Sequence, residues 1–154
     1  MLASGSMDGD VVVYLTKDWS KYRHFNADGW KTVYTVIFNT ACTEVLFSAD
    51  AIIRIYNIES GEEVAALEGH AKQVRCLCIS RDDKLAFSGG HDRCIQIWDL
   101  QTRKSIGKLV GHENFVLTIA LTPDESIIAS SGSDSTVRIW DVRDQRMMAI
   151  MRGH

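Results

Sequence analysis

A chain of 154 residues, 45% of them hydrophobic, has the length of one domain and the apolar content for a substantial core. Its net charge of −3 offers none of the basic footprint that nucleic-acid binding requires, and no apolar run nears the ~18 residues of a membrane span. Residues 1–10 lack the charged start and apolar centre of a secretory leader, and Cys42, Cys76, Cys78 and Cys94 follow no disulfide framework, so the reading is buried thiols in the cytoplasm or nucleus.

In chain order, LASGSMD (2–8) aligns position by position with IASSGSD (128–134). Asp8-Gly9 signals a tight turn, and the β-branched run VVVYL (11–15) reads as the strand that follows it. A further strand is expected over roughly 20–25. Met1 falls at the equivalent of Ile127, so this first unit, 1–26, enters at its second strand. The second unit, 27–68, predicts strands TVYTVIF (32–38), TEVLFS (43–48), AIIRIYN (51–57) and EEVAAL (62–67), with a turn at Ser60-Gly61. The third, 69–110, predicts QVRCLCIS (73–80), KLAFSGG (84–90), CIQIWDL (94–100) and SIGKLV (105–110). The fourth, 111–152, predicts FVLTIALT (115–122), SIIASSG (126–132), TVRIWDV (136–142) and MMAIM (147–151). Asp82-Asp83 and Pro123-Asp124 supply turns after the first strand of each. Gly153-His154 opens a further unit, and no segment carries a helical period.

The units recur at 42 residues. Asp8, Asp50, Asp92 and Asp134 keep this spacing, and so do Tyr14, Tyr56, Trp98 and Trp140 six positions later. Gly69-His70 and Gly111-His112 open the last two units, and Trp98-Asp99 and Trp140-Asp141 end their third strands. The second unit departs from this pattern. Ala27-Asp28-Gly29 stands for Gly-His, Tyr56-Asn57 stands for Trp-Asp, and the turn between FSAD and AIIRIY is shortened. Its polar network is therefore left open, though not its strands. CLCI, LTIAL and AIIRI are apolar on both faces, as expected where each sheet is sandwiched between two others. Radially packed four-stranded blades satisfy that condition.

The unit resembles the WD40 repeat, which carries Gly-His near its start and Trp-Asp at a strand end. The resemblance covers essentially the whole chain as a single repeat region, closely in the last two units. It implies an all-β propeller of roughly four blades, each a four-stranded antiparallel sheet, with one first strand missing. The missing stretch corresponds to 113–126, so the chain amounts to four units less that strand. WD40 rings usually have about seven or eight blades, so a partial ring is expected. A longer parent chain is the favoured arrangement; self-association of two half rings and an open fragment are the others.

The resemblance also implies a buried hydrogen-bonded chain in each blade, here His70, Ser88, Asp92 and Trp98, then His112, Ser130, Asp134 and Trp140. The chemistry is consistent: the carboxylate accepts from imidazole, imidazole engages the hydroxyl, and the hydroxyl accepts from indole N–H. Ser, His and Asp are also the residue types of a nucleophilic triad, which makes a hydrolase the alternative from another class. Duplication at the repeat period, and an indole occupying the hydroxyl, favour the structural role. No cofactor or metal is expected. Cys76 and Cys78 share one face of a strand without a second ligand pair, and read as small hydrophobes. Arg103, Lys104 and Lys108 read as a solvated basic face.

Partners of this family usually dock on the face carrying the Gly-His loops and the turns before the third strands. By position that face presents Gln73, Arg75, His91, Phe115, Leu117 and Ser133, with Tyr34 from the second unit. An aromatic beside an arginine suits a peptide hot spot. His91 alone reads equally as a solvated turn residue, and Phe115 and Leu117 equally as core. Trp140-Asp141-Val142-Arg143 is similar to the WDxR motif of substrate receptors for cullin-4 ubiquitin ligases, with Arg143 as the adaptor contact; Leu100-Gln101 breaks it in the preceding unit. The expected function is a non-enzymatic scaffold that binds other proteins or peptides within multiprotein complexes. The alternative is that ligase receptor.

Overall fold

A computed structural model describes residues 1–26 and 31–153. Ala27-Asp28-Gly29, read above as a departure from Gly-His, and His154 lie outside the described residues. The described residues form strands and turns and no helix, so none is long and apolar enough to cross a membrane. The first sheet holds β1 (Leu2–Gly5), β2 (Asp10–Tyr14) and β3 (Lys21–Asn26). The second holds β4 (Val36–Phe38), β5 (Glu44–Ala49), β6 (Ile52–Asn57) and β7 (Glu63–Glu68). The third holds β8 (Val74–Ile79), β9 (Leu85–Gly90), β10 (Cys94–Asp99) and β11 (Lys104–Val110). The fourth holds β12 (Val116–Leu121), β13 (Ile127–Gly132), β14 (Thr136–Asp141) and β15 (Arg146–Arg152).

In every sheet each strand pairs antiparallel with its neighbour in sequence. Short turns dictate that meander, since a few residues can only return the chain alongside itself. The sheets then pack face against face. Val11, Val13 and Phe25 of the first sheet share one core with Val33, Val45, Phe47 and Ile58. A second core joins Leu46, Ile53, Ile55 and Leu67 to Val74, Leu77, Ala86 and Trp98. A third joins Cys76, Phe87, Ile95 and Ile97 to Val116, Ile119, Ile128 and Trp140. Each core is shared by two consecutive sheets, which is the packing of propeller blades in an unclosed ring.

Several expectations need correction. Cys42, read with the other thiols as buried, is exposed, and Arg103, read as part of a solvated basic face, is half-buried and pairs with Glu44 at 2.7 Å. The strand predicted over 32–38 is a strand only at Val36–Phe38. The Ser48 hydroxyl accepts from Tyr34 N–H and Thr35 N–H at 2.9 and 3.2 Å, and Val33 N–H crosses to the Ser6 carbonyl of the first sheet at 3.0 Å. These bonds occupy the backbone before β4. LTIAL, read as apolar on both faces, exposes Leu117, Thr118 and Ala120; among the described residues no further sheet covers the Thr118 and Ala120 side of β12. Phe115 and Leu117 are 37% and 41% exposed, so neither is a core residue.

The second sheet also shows what replaces the polar chain. Asp50 and Ala51 alone connect β5 to β6, and this turn, one residue shorter than in the third sheet, shifts the register of β5. Phe47 now lies opposite Arg54, the place Ser88 holds opposite Gln96. Its ring stacks on Tyr56, with centroids 5.5 Å apart and planes at 15°, and Phe25 of the first sheet adds a tilted contact at 4.8 Å. An aromatic cluster takes the position of hydroxyl and indole.

Candidate protein-interaction face

Two buried polar chains lie beneath the face. In the third sheet, His70 Nδ1 stands 2.9 Å from Asp92 Oδ2, and its Nε2 stands 2.7 Å from Ser88 Oγ. Trp98 Nε1–H donates to the same hydroxyl at 2.7 Å. In the fourth, His112, Asp134, Ser130 and Trp140 repeat the arrangement at 2.8 Å for each of the three bonds. The donors and acceptors balance when Nδ1–H faces the carboxylate, the serine O–H donates to Nε2, and the serine oxygen accepts from the indole. Asp92 Oδ2 also accepts from Ala71 N–H, and Asp134 Oδ2 from Glu113 N–H, at 3.1 and 2.9 Å. The chain thus ties the loop after Gly-His to the turn before the third strand.

Electrostatics follow from these bonds. Burial disfavours the charge on Asp92, yet His70 and the donors around the carboxylate together hold it well below the usual carboxylate range. Burial likewise opposes charge on Asp134, and is outweighed by the Thr136 hydroxyl, Glu113 N–H and His112. Cys94 stands where Thr136 stands in the next unit. The donor atoms of His70, Asp92 and Cys94 lie within 4.8 Å of one another. They make a hydrogen-bonded cluster and a poor metal centre. Both imidazole nitrogens of His70 are engaged, and burial, then Asp92, pushes the Cys94 thiol up to about 12, away from the thiolate a metal needs.

The glycine of each Gly-His pair has a steric reason. A Cβ on Gly69 would sit 3.0 Å from Trp98 Cη2, and one on Gly111 would sit 3.0 Å from Trp140 Cη2. Two further buried side chains extend the network without a signature in the repeat pattern. Gln96 donates to the Gly69 carbonyl at 3.0 Å and accepts from the Ser105 hydroxyl at 2.9 Å. Arg138, at the same place in the fourth sheet, puts Nη2 3.5 Å from Asp134 Oδ2.

Above these chains, four of the candidate face residues form a row across three sheets. The Arg75 guanidinium lies over the Tyr34 ring, 4.2 Å from its centroid. Tyr34 and His91 are tilted neighbours at 6.1 Å, and His91 stacks on Phe115 at 4.1 Å with planes at 22°. The backbone sets this up. The Gln73 carbonyl accepts from His91 N–H, and the Phe115 carbonyl from Ser133 N–H, both at 2.8 Å. Gln73 and Ser133 therefore enter the face through main chain.

Arg75 and Leu117 share a second device. The register skips Arg75 between Val74 and Cys76, and skips Leu117 between Val116 and Thr118. Each is the extra residue of a β-bulge, which turns a side chain out of the strand's alternation. Their common offset of 42 residues was present in the sequence; strict in/out alternation hides it. Burial, then the charges of Arg75 and Lys72, lower the pKa of His91 against the pull of Asp92. Arg143 lies apart from the row, exposed in the turn between β14 and β15.

Comparison with known proteins matches residues 61–99 and 103–141 to the family model described as WD domain, G-beta repeat. Each matched unit takes the outer strand of one sheet, β7 or β11, with the first three strands of the next. The chain is 44% identical over 46 residues to the pre-mRNA-splicing factor PRP46 of Candida albicans, covering 30% of this chain and 12% of the relative. It is 43% identical over 50 residues to mitochondrial division protein 1 of Mycosarcoma maydis, covering 32% of this chain and 6% of the relative.

Proposed function

The chain belongs to the WD40 repeat family, and on that premise we propose that it is a non-catalytic scaffold whose Arg75–Tyr34–His91–Phe115 face holds partner proteins. One observation carries the reading: four side chains drawn from three sheets converge in a half-buried row that opens to solvent at Phe115, with arginine and aromatics adjacent, the composition that dominates binding energy at interfaces. The two polar chains serve this face by pinning the loops that present it. Their serines favour that role over nucleophilic catalysis, because Ser88 and Ser130 are 0% and 1% exposed and each hydroxyl already accepts an indole N–H.

The two relatives are named for different processes, splicing and mitochondrial division, and each matches over little more than one repeat. They support a shared binding module, active in nucleus or cytoplasm, rather than a shared process. The test places a photo-crosslinking amino acid at Phe115 or, as a control, at exposed Val64 on β7. Partners should be captured from the Phe115 position, and the pair Phe115→Asp and Leu117→Asp should abolish their binding without lowering the melting temperature. Equal capture from both positions, or binding that survives the pair, would refute the assignment.

A finer reading makes the chain a ubiquitin-ligase substrate receptor. It is supported by Arg143, which makes no hydrogen bond or ion pair among the described residues and is open to an adaptor. Loss of adaptor pull-down on Arg143→Ala would uphold this reading, and retained pull-down would remove it.

A further inference from the structure

The row described above has an unused binding capacity at one end. Arg75 makes no hydrogen bond or ion pair among the described residues, and its guanidinium rests on the face of Tyr34. None of its nitrogens is a buried atom lacking a partner, so the half-buried guanidinium keeps contact with solvent. The bulge in β8 fixes where its side chain leaves the strand, and the Tyr34 ring holds the guanidinium plane. An arginine fixed in this way has lost part of its rotamer freedom before any ligand arrives, and its planar fork matches a carboxylate.

The surroundings reinforce the charge. Lys72 is exposed on the same loop as the Arg75 strand, and the charges of both act on His91. Two carboxylates lie nearby, Asp92, turned inward with Oδ2 bound by His70 and Ala71 N–H, and exposed Asp50, whose carbonyl accepts from Val74 N–H; neither forms an ion pair with Arg75. At the other end of the row, the Phe115–His91 stack offers a flat apolar surface, with Phe115 37% exposed. At the Arg75 end, a guanidinium without an ion pair and Lys72 beside it favour a negatively charged group.

We propose that this row is a receptor for acidic peptides, in which Arg75 takes an aspartate or glutamate carboxylate and the Phe115–His91 stack receives a neighbouring aromatic or aliphatic side chain. The inference rests on the partner-binding reading of the same face and adds the chemical class of the ligand. A carboxylate on the Arg75 fork gains charge-assisted bonds, and the stacked rings supply the buried apolar area that such a small polar contact lacks.

The experiment selects random dodecapeptides displayed on phage against the full 154-residue chain, then measures fluorescein-labelled versions of the enriched peptides by anisotropy. Enriched sequences should carry Asp or Glu within two positions of an aromatic or large aliphatic residue. Arg75→Gln should weaken them about ten- to a hundred-fold, Arg75→Lys should restore only part of that loss, and replacing the peptide's Glu with Gln should match the Arg75→Gln effect. Unchanged melting temperatures would show that the variants remain folded. Peptides that lose affinity on Phe115→Asp but not on Arg75→Gln would overturn the acidic class while leaving the face intact. Enriched peptides indifferent to both variants would overturn the face reading as well.

Discussion

Ser88→Ala offers the sharpest test of the buried chain in the third sheet. The substitution removes one oxygen and orphans two groups: Trp98 Nε1–H loses its acceptor, and His70 Nε2 loses its donor. Neither can turn to water, since the His70 side chain is 0% exposed and Trp98 is 1% exposed. An unsatisfied buried polar group costs about 1–3 kcal/mol, so two cost roughly 2–6 kcal/mol. For a chain of this size that is a fall in melting temperature of roughly 5–20 °C, and a large share of the ~5–15 kcal/mol that holds a typical domain. Urea denaturation of wild type, Ser88→Ala, Trp98→Phe and the double variant supplies the measurement, with the slope m checked for constancy. The double variant should be less destabilised than the sum of the singles, because Trp98→Phe removes the N–H that Ser88→Ala orphans. A loss below ~0.5 kcal/mol, or strict additivity, would refute the argument and restore the serine to candidates for chemistry.

Two further outcomes follow from the same side chains. Asp92 and Asp134 are held well below their unfolded value of 3.8, so the stability they supply is complete above that value and is lost as pH falls beneath it. Thermal melts should therefore drop steeply below about pH 4, and Asp92→Asn with Asp134→Asn should flatten that drop; an unaltered slope would contradict it. Burial pushes the thiols of Cys76, Cys78 and Cys94 up to about 12, whereas Cys42 is exposed. Iodoacetamide at pH 8 should label Cys42 in the folded chain and all four cysteines in urea, read by mass spectrometry, and rapid native labelling at any of the other three would show that their sheets are open.

How far the sequence could be read depended on what each feature demands of residue identity. The chains running through Ser88 and Ser130 need a carboxylate, an imidazole, a hydroxyl and an indole at fixed register, so a 42-residue period sufficed to name their members. The bulges at Arg75 and Leu117 demand no residue type, and a strand read by alternation assigns Leu117 to the wrong side. The start of β4 failed for a related reason. TVYTVIF has strand composition, but a one-residue-shorter turn moved Ser48 to where its hydroxyl captures Tyr34 and Thr35 N–H. Gln96 and Arg138 fill one structural place with different chemistry, so nothing in the period marked them.

The sharing of each hydrophobic core between two sheets sets the unit in which this protein can be cut, duplicated or recombined. A single repeat excised from the chain would carry half of two cores and the whole of neither, and would have no independent reason to fold. The smallest piece that carries a whole core is a pair of sheets such as the third and fourth, which bring with them Phe87, Ile95, Ile97, Val116, Ile128 and Trp140 as one complete interior. Folding energy in such an array resides in the junctions between neighbours. A repeat can therefore diverge within, as the second did in exchanging its hydroxyl and indole for stacked rings, provided that the surfaces it turns to the sheets on either side keep their shape.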